Sequence, residues 1–493
     1  MTYKIVVIGG GTAGVMAATY FKSYWGNLVD VTMVYDHKNP GIGVGESLTP
    51  LFDSYLKTVG VSTIELVKHC HATIKLGLKF TNWSHPGSEW THSFPINEAF
   101  ASVDPTLFAF NAIDAQEILD NNYSNAYNYD DFYFNNNFIA GVDNLSYRHA
   151  LHVDANLVGR YIEQKFKDKI TIINGIVTKV TVSNRSIDSI NLASGEELTS
   201  DLFIDASGLE YALIKHLEPT WVDVSTQLPT NRTIPNPLFK EFDFIPPYTH
   251  SDATKNGWIL DVPLSNRRGT GYVYSSEFTS DEEAKQDFNQ WLLKKHGVEL
   301  QSDRVIKFSN GYWKDQWIGN CIAVGLASGF VEPLEATSIH NTVSQIEKIA
   351  ALNTFTDLNH SRRTYNEFIE NSYSNEFKYL RFFYHTKRTD SEFWKYLTNN
   401  TPEWLTDLEE KIKDSFITQH DINSNGNMFD STSFLSVAYG HGYITQDSIR
   451  KLFREKYLST HARAGADRVR KIKYEFYKQA VDHKQWIDAI LKS

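Results

Sequence analysis

The chain has 493 residues, 41% hydrophobic and 22% charged, the balance of an ordinary folded protein with enough chain for two or three domains and a full core. Against 48 Lys and Arg stand 59 Asp and Glu, a formal charge of −11, which repels phosphate backbones and anionic lipid heads and argues against a nucleic-acid role.

In chain order, Lys4 to Ile8 is a short apolar run that ends in Gly9-Gly10-Gly11-Thr12-Ala13-Gly14, and an amphipathic stretch from Val15 to Lys22 follows at once. A second strand is predicted over Val31 to Tyr35, then a glycine loop, Gly41 to Glu46. From Ile74 to Phe80 apolar residues alternate with Lys75, Gly77 and Lys79, the period of one half-buried strand. On such a strand Lys75 and Lys79 share a face about 13 Å apart, at ~3.3 Å per residue, and taken alone they read as solvated side chains. The Asn-rich segment from Trp83 to Asn144 reads as irregular. Further strands are expected at Ile170 to Ile173, Ile187 to Leu192, Leu202 to Asp205, Trp258 to Val262, Gly271 to Tyr274 and Cys321 to Val324. Ile339, Val343, Ile346 and Ala350 then fall at helical spacing, and beyond about Ser361 the chain reads as mostly helical and aromatic.

Only Cys70 and Cys321 are present, which gives no disulfide framework and no Cys-x-x-Cys site and fits a reducing compartment. The 17 histidines show no paired metal-ligand spacing, so no metal is expected. With no leader-like segment and no apolar run of spanning length, a cytoplasmic protein without a membrane partner is expected. Aromatics reach 14%, which suits a pocket for flat substrates or simply a large core.

Gly9-x-Gly11-x-x-Gly14 between a strand and a helix is the dinucleotide fingerprint: Gly9 for the tight turn, Gly11 for backbone approach to the pyrophosphate, Gly14 for helix-on-strand packing. The helix start, with Thr12 and Ala13, presents its N–H groups to the negative charge. Asp36 is placed to take the adenosine ribose hydroxyls, although Tyr35 stands where an acid is equally expected. The second glycine loop, with Gly43, Gly45 and Glu46, and the late strand-turn-helix at Ala323 to Thr337 favour FAD over NAD.

These residues resemble a flavin-dependent halogenase of the tryptophan halogenase type. The resemblance is carried by GGGTAG (Gly9 to Gly14), IGVGE (Ile42 to Glu46), IKLGLKFTNW (Ile74 to Trp83), HVDANLV (His152 to Val158), DLFIDASG (Asp201 to Gly208), GTGYVYSSEFTS (Gly269 to Ser280), GFVEPLEATS (Gly329 to Ser338) and FWKYL (Phe393 to Leu397). It implies an α/β fold: a Rossmann-like, flavin-monooxygenase-like FAD module with a mixed sheet over residues 1–355, with substrate-site insertions near 83–150 and 209–300, and a helical substrate-binding region over 356–493. It also implies a reaction in which reduced FAD, delivered by a separate flavin reductase, and oxygen form a flavin hydroperoxide. A halide ion (chloride, bromide or iodide) attacks it to give hypohalous acid, which passes to a lysine beside an electron-rich ring. By motif position Lys75 is that catalytic lysine and Glu335 the catalytic glutamate, with Thr337 and Ser338 at the halide and His92 and Phe94 lining the substrate pocket. Read without the family, Glu332, Pro333 and Glu335 simply favour the first turn of a helix.

Three departures matter. The family's Ser-Thr-Gly after Glu-Pro-Leu-Glu is here Ala336-Thr337-Ser338, so serine replaces the glycine's backbone freedom. The Trp-x-Trp-x-Ile-Pro motif keeps Trp258 and Pro263 but has Leu260 for its second tryptophan. Phe434 and Leu435 stand where the family carries a tyrosine pair, which removes two hydroxyl donors for a carboxylate. Free tryptophan is therefore disfavoured and an indole-type or phenol-type arene expected. A flavin monooxygenase that hydroxylates the ring and a silent flavin-binding protein are the competing readings. The sequence leaves a homo-oligomer open.

Overall fold

The apolar run at the start of the chain forms the strand Tyr3–Ile8, which pairs in parallel with Val29–Tyr35 and with Leu202–Asp205. The computed structural model describes residues 2–38, 45–94, 131–140, 149–352, 358–414, 427–444 and 477–493, with 355, 417, 419–422 and 474. They fall into two compact units.

The first unit comprises Met1–Ala72, Val153–Thr226 and Phe308–Ser374. Its six-stranded sheet runs in the order Trp317–Ile318, Cys321–Ala323, Leu202–Asp205, Tyr3–Ile8, Val29–Tyr35, Thr171–Asn174, parallel throughout except for the first pair. Near-continuous apolar strands are what a parallel sheet buried on both faces needs, and Val6, Ile8, Val34, Phe203 and Cys321 join Ile187 and Ile190 of a small antiparallel sheet in one core. The helices Thr12–Trp25, Ala155–Phe166 and Thr337–Ala351 belong to this unit. In the last, Ile339, Val343, Ile346 and Ala350 are all buried, as their spacing predicts.

The second unit comprises Thr73–His152, Gln227–Lys307 and Asn375–Ser493, so of the segments expected as insertions residues 83–150 and 227–300 group with C-terminal residues, while 209–226 stay with the first unit. Seven strands run in the order Ile306–Lys307, Arg232–Leu238, Arg268–Tyr274, Gly257–Pro263, Tyr248–Ala253, Gly77–Thr81, Glu89–Ser93. All pairings are antiparallel except that of Tyr248–Ala253 with Gly77–Thr81. The helix Asp281–His296 buries Ala284, Phe288 and Leu292 against Ile234, Ile259 and Tyr272. Its ends are written locally: a Ser280–Glu283 capping box and three acids at the start, and Lys294, Lys295, His296 and a left-handed Gly297 at the close.

Two expectations need correction. The alternating stretch from Ile74 to Phe80 is not one half-buried strand: Thr73–Lys75 pairs antiparallel with Ala150–Asp154, while Gly77–Thr81 belongs to the seven-stranded sheet. Both faces are covered from Thr73 to Leu78, and Lys75 is 0% exposed. The segment from Trp83 to Asn144 is bends and turns over residues 83–88 but is not irregular throughout its described residues. It contains the strand Glu89–Ser93, the helix Asp131–Asn136 and the strand Phe138–Ala140, the last paired with Ala480–Asp482; residues 95–130 and 141–148 lie outside the described residues. Cys70 and Cys321 are both buried free thiols, and burial pushes the Cys70 thiol up to about 12. Among the described residues no helix is long and apolar enough to cross a membrane.

Candidate active site

In the first unit the fingerprint turn is shaped by contacts that only glycine tolerates. Gly9 has φ 125°, and a Cβ there would lie 2.2 Å from the Ala206 carbonyl oxygen; one on Gly14 would lie 2.0 Å from the Gly9 oxygen. Gly11 is different: it caps the helix Thr12–Trp25, and a Cβ on it would meet nothing within 4 Å. No side chain caps this helix start, and its first turn carries no acid. Open backbone at a positive helix end suits a pyrophosphate, so these residues fit a dinucleotide. The turn after Leu202–Asp205 is held by buried Asp205, whose carboxylate accepts the Leu213 and Ile214 N–H groups, both at 2.8 Å, and the Ser207 hydroxyl at 2.6 Å.

Asp36 follows the second strand and is half-buried, its carboxylate accepting the Lys38 N–H at 3.0 Å. Tyr35 does not act as an acid's stand-in. Its ring covers Gly10, where a Cβ would come within 2.2 Å, and its hydroxyl donates to Glu163 at 3.0 Å. Of the second glycine loop, Gly43 lies outside the described residues, while Gly45–Ser47 forms a short strand. Burial, and then the Asp154 carboxylate, push the Glu46 carboxyl up to about 7.

The Glu-Pro-Leu-Glu segment is a turn that precedes the helix, not its first turn: the Ala336 N–H reaches the Pro333 carbonyl at 3.3 Å, and the helix begins at Thr337. Glu332 and Glu335 are both buried. Ala336 occupies the left-handed region, φ 62° and ψ 38°, whereas Ser338 is ordinary helix. The lost glycine therefore costs no backbone freedom at position 338, and the strained position is Ala336. Beside it, Gly325, Gly329, Phe330, Thr337, Ser338 and Asn341 line a small cleft, onto which Tyr373 also faces. Gln345 supports it, accepting the Gly325 N–H at 2.9 Å and donating to Ser328 at 2.8 Å. The Thr337 hydroxyl is buried and makes no hydrogen bond among the described residues.

The second unit holds Lys75, on a three-residue strand opposite Ala150. Its amine lies 5.3 Å from the Phe94 ring centroid, and the Phe94 N–H donates to the Leu76 carbonyl at 2.8 Å. Alongside, His152 is fully buried between the Thr73 and Thr249 hydroxyls, at 3.0 and 2.9 Å. Burial, and then the charge on Lys75, hold its imidazole well below the ordinary histidine range. Lys79 is elsewhere. It pairs with Glu89 at 2.8 Å and lines a separate cleft of about 710 Å³ with Tyr248, His250, Asp261 and Arg268. The ring beside it, Tyr248, differs from the Phe94 beside Lys75, although only four positions separate the two lysines.

His92 and Phe434, far apart in sequence, are joined by Tyr379, which donates to or accepts from His92 Nδ1 at 3.1 Å and packs edge-on against Phe434 at 5.2 Å. Tyr379 also stacks on Phe429 at 3.7 Å. Leu435 is fully buried beside Phe434 on the helix Ser431–Gly440, which Asp430 caps through the Ser433 N–H at 3.0 Å. Nothing local in the sequence singles out Tyr379, and the motif that opens on His152 gives that residue no role; each gains its place from partners 287 and 79 residues away. Trp258 of the altered motif is fully buried, its Nε1–H donating to the Tyr384 hydroxyl at 3.1 Å.

A model of the family described as tryptophan halogenase matches residues 4–454. Tryptophan 6-halogenase ThaL of Streptomyces albogriseolus is 30% identical over 436 residues, 83% of this chain and 81% of the relative. Tryptophan 7-halogenase RebH of Lentzea aerocolonigenes is 28% identical over 433 residues, 83% of this chain and 81% of its own length. Among solved structures, a tryptophan halogenase from Shewanella frigidimarina superposes with a TM-score of 0.88 at 22% identity, covering 100% of this chain and 98% of that one. BrvH, a flavin-dependent halogenase from Brevundimonas, gives 0.81 at 24% identity, with 99% of each chain covered. At those identities the structural likeness carries the fold.

Proposed function

The chain belongs to the tryptophan halogenase family, and from that premise we propose that it halogenates an electron-rich indole-type or phenol-type ring through Lys75. The enzyme is a flavin-dependent oxidoreductase of α/β fold. FAD delivered in reduced form by a separate flavin reductase would, when bound, supply with oxygen and halide the oxidised halogen, hypohalous acid. The backbone from Gly9 to Gly14 would hold its pyrophosphate, Asp36 its ribose hydroxyls, and Gly45 and Glu46 the remainder of the cradle.

The halide falls to Thr337 and Ser338. In support, a helix start offers N–H groups to an anion, and the Thr337 hydroxyl is buried with no hydrogen-bond partner among the described residues. Lys75 hydrogen-bonds the hypohalous acid or forms a haloamine with it, and passes the halogen to a ring carbon. That carbon then loses a proton, and the general-base role is assigned to Glu335, buried in its turn. His92 and Phe94 would flank the ring. With Phe434 and Leu435 both buried and without hydroxyls, the substrate site has lost the donors for an amino-acid carboxylate, which favours an arene over free tryptophan.

The observation that carries the reading is a lysine 0% exposed, with its amine 5.3 Å from an aromatic ring. A solvated lysine on a half-exposed strand has neither property. The test supplies FAD, a reductase, NADH, catalase and a panel of indoles and phenols, with chloride, bromide and iodide in separate reactions. Halogenated product that is lost in Lys75→Ala and kept in Lys79→Ala supports the assignment. A product heavier by one oxygen atom, formed without halide and in Lys75→Ala, would replace it with hydroxylation.

A further inference from the structure

Lys75 lies on the edge strand of its small sheet, and an edge strand must complete its outward hydrogen bonds elsewhere. The structure shows how. Gly77–Thr81 pairs in parallel with Tyr248–Ala253, and just before that ladder the Leu76 N–H reaches the Pro247 carbonyl at 2.7 Å. Two residues back on each strand, Ile74 and Ile245 are bridged by an imidazole. The Ile74 N–H donates to His483 Nε2 at 3.0 Å, and His483 Nδ1 donates to the Ile245 carbonyl at 3.1 Å. The ring is 0% exposed. It is a wedge in a parallel ladder, at the point where the chain leaves its pairing with Ala150–Asp154 for the seven-stranded sheet.

The geometry points to His483 as the positioning residue for Lys75, an assignment that rests on the halogenase reading of that lysine. One nitrogen accepts and the other donates, so the ring must be neutral with its proton on Nδ1. Burial holds His483 far below the ordinary histidine range, at about 3, which keeps that form at neutral pH. The wedge is anchored from its own side: the His483 N–H bonds the Asn137 carbonyl at 3.0 Å, and Asp482 caps the helix His483–Lys492 through the Gln485 N–H at 2.8 Å. His483 reaches the residue before Lys75 across 409 positions, and it lies beyond residues 4–454, which the family model matches. The consequence is directional. Without the wedge, Ile74 either loses its bond or closes directly on Ile245, and the strand that carries the amine shifts toward the larger sheet.

The test compares His483→Ala and His483→Gln with the full-length enzyme, supplied with FAD, reductase, bromide and an indole that the unaltered enzyme brominates. Two products are read together: brominated indole, and free hypobromous acid caught by a soluble scavenger. In His483→Ala, indole bromination falls about tenfold or more, as misplacement of a reacting group by about 1 Å does. Trapped hypobromous acid rises in the same reactions, and the flavin titration stays unchanged. His483→Gln, whose amide both accepts and donates, restores most of the partition. Loss of bromination with no rise in leakage and no rescue by Gln would mark His483 as a general folding residue and overturn the proposal. So would unaltered turnover and partition in His483→Ala. Lys75→Ala run alongside separates the two levels: if it still brominates, the lysine reading has failed, whereas if it alone is inactive, only the His483 inference has. Should His483→Ala not fold, ¹⁵N-histidine spectra of the unaltered enzyme decide, the His483 signal being the one missing in His483→Gln. A neutral ring protonated on Nδ1 at pH 7 and still neutral at pH 5 is expected, and a cationic or Nε2-protonated ring would overturn the assignment.

Discussion

Glycine at position 336 should stabilise this protein, while glycine at 338, where relatives in the family carry one, should destabilise it. Ala336 has φ 62° and ψ 38°, a conformation that costs an L-residue about 1–2 kcal/mol. Glycine removes that cost but adds about 0.4–1 kcal/mol of unfolded-chain freedom. The net expectation for Ala336→Gly is a gain of up to about 1.6 kcal/mol, centred near about 0.8 kcal/mol. Ser338 stands inside the first turn of the helix Thr337–Ala351, where glycine brings only its entropy and exposed backbone, a loss of about 0.5 kcal/mol. Two substitutions to the same residue, two positions apart, should therefore move the urea midpoint in opposite directions at unchanged slope. Ala336 also stands between Glu335 and Thr337, so the relaxed variant should turn over more slowly even as it becomes more stable, strain being kept where function needs a fixed geometry. If Ala336→Gly destabilises as much as Ser338→Gly, the left-handed residue stores no strain and the reasoning fails.

Gly9→Ala should fold poorly and bind FAD at least about tenfold more weakly by fluorescence titration, because its Cβ would lie 2.2 Å from the Ala206 oxygen at a φ of 125°; normal binding would show that the turn adapts. Thr337→Val replaces a buried hydroxyl with no hydrogen-bond partner among the described residues, so stability should hold or rise by up to about 1 kcal/mol while the halide concentration for half-maximal rate increases; an unchanged halide dependence removes Thr337 from that role. Burial depresses His340 to about 4 and His441 to about 3. Both are below the unfolded value near 6.5, so their contribution is fully present above about pH 6.5 and is lost as the pH falls toward those values, at about 1.4 kcal/mol per pH unit each. Urea midpoints at pH 7, 6 and 5 should decline accordingly, and His441→Gln should flatten the slope; an equal slope in that variant refutes the assignment.

What the sequence determined by itself is local. The glycine turn between a strand and a helix, the buried face of Thr337–Ala351 and the capped ends of Asp281–His296 follow from residues within a few positions of one another, where backbone sterics and periodicity act directly. Motif position picked out Lys75, but the alternation around it was misleading. It describes one half-exposed strand, while the chain changes sheets at Leu76 and covers both faces. A strand's partner lies elsewhere in the chain, so no local pattern reveals that change. Glu335 likewise reads as helix from its own residues and stands instead in a turn before a strained alanine. Tertiary structure alone decided which partners these segments meet: Tyr379 for His92 across 287 residues, and His483 for the strand of Lys75 across 409. A buried polar group takes its meaning from whatever partner the fold delivers, and that partner is fixed only once distant segments have paired.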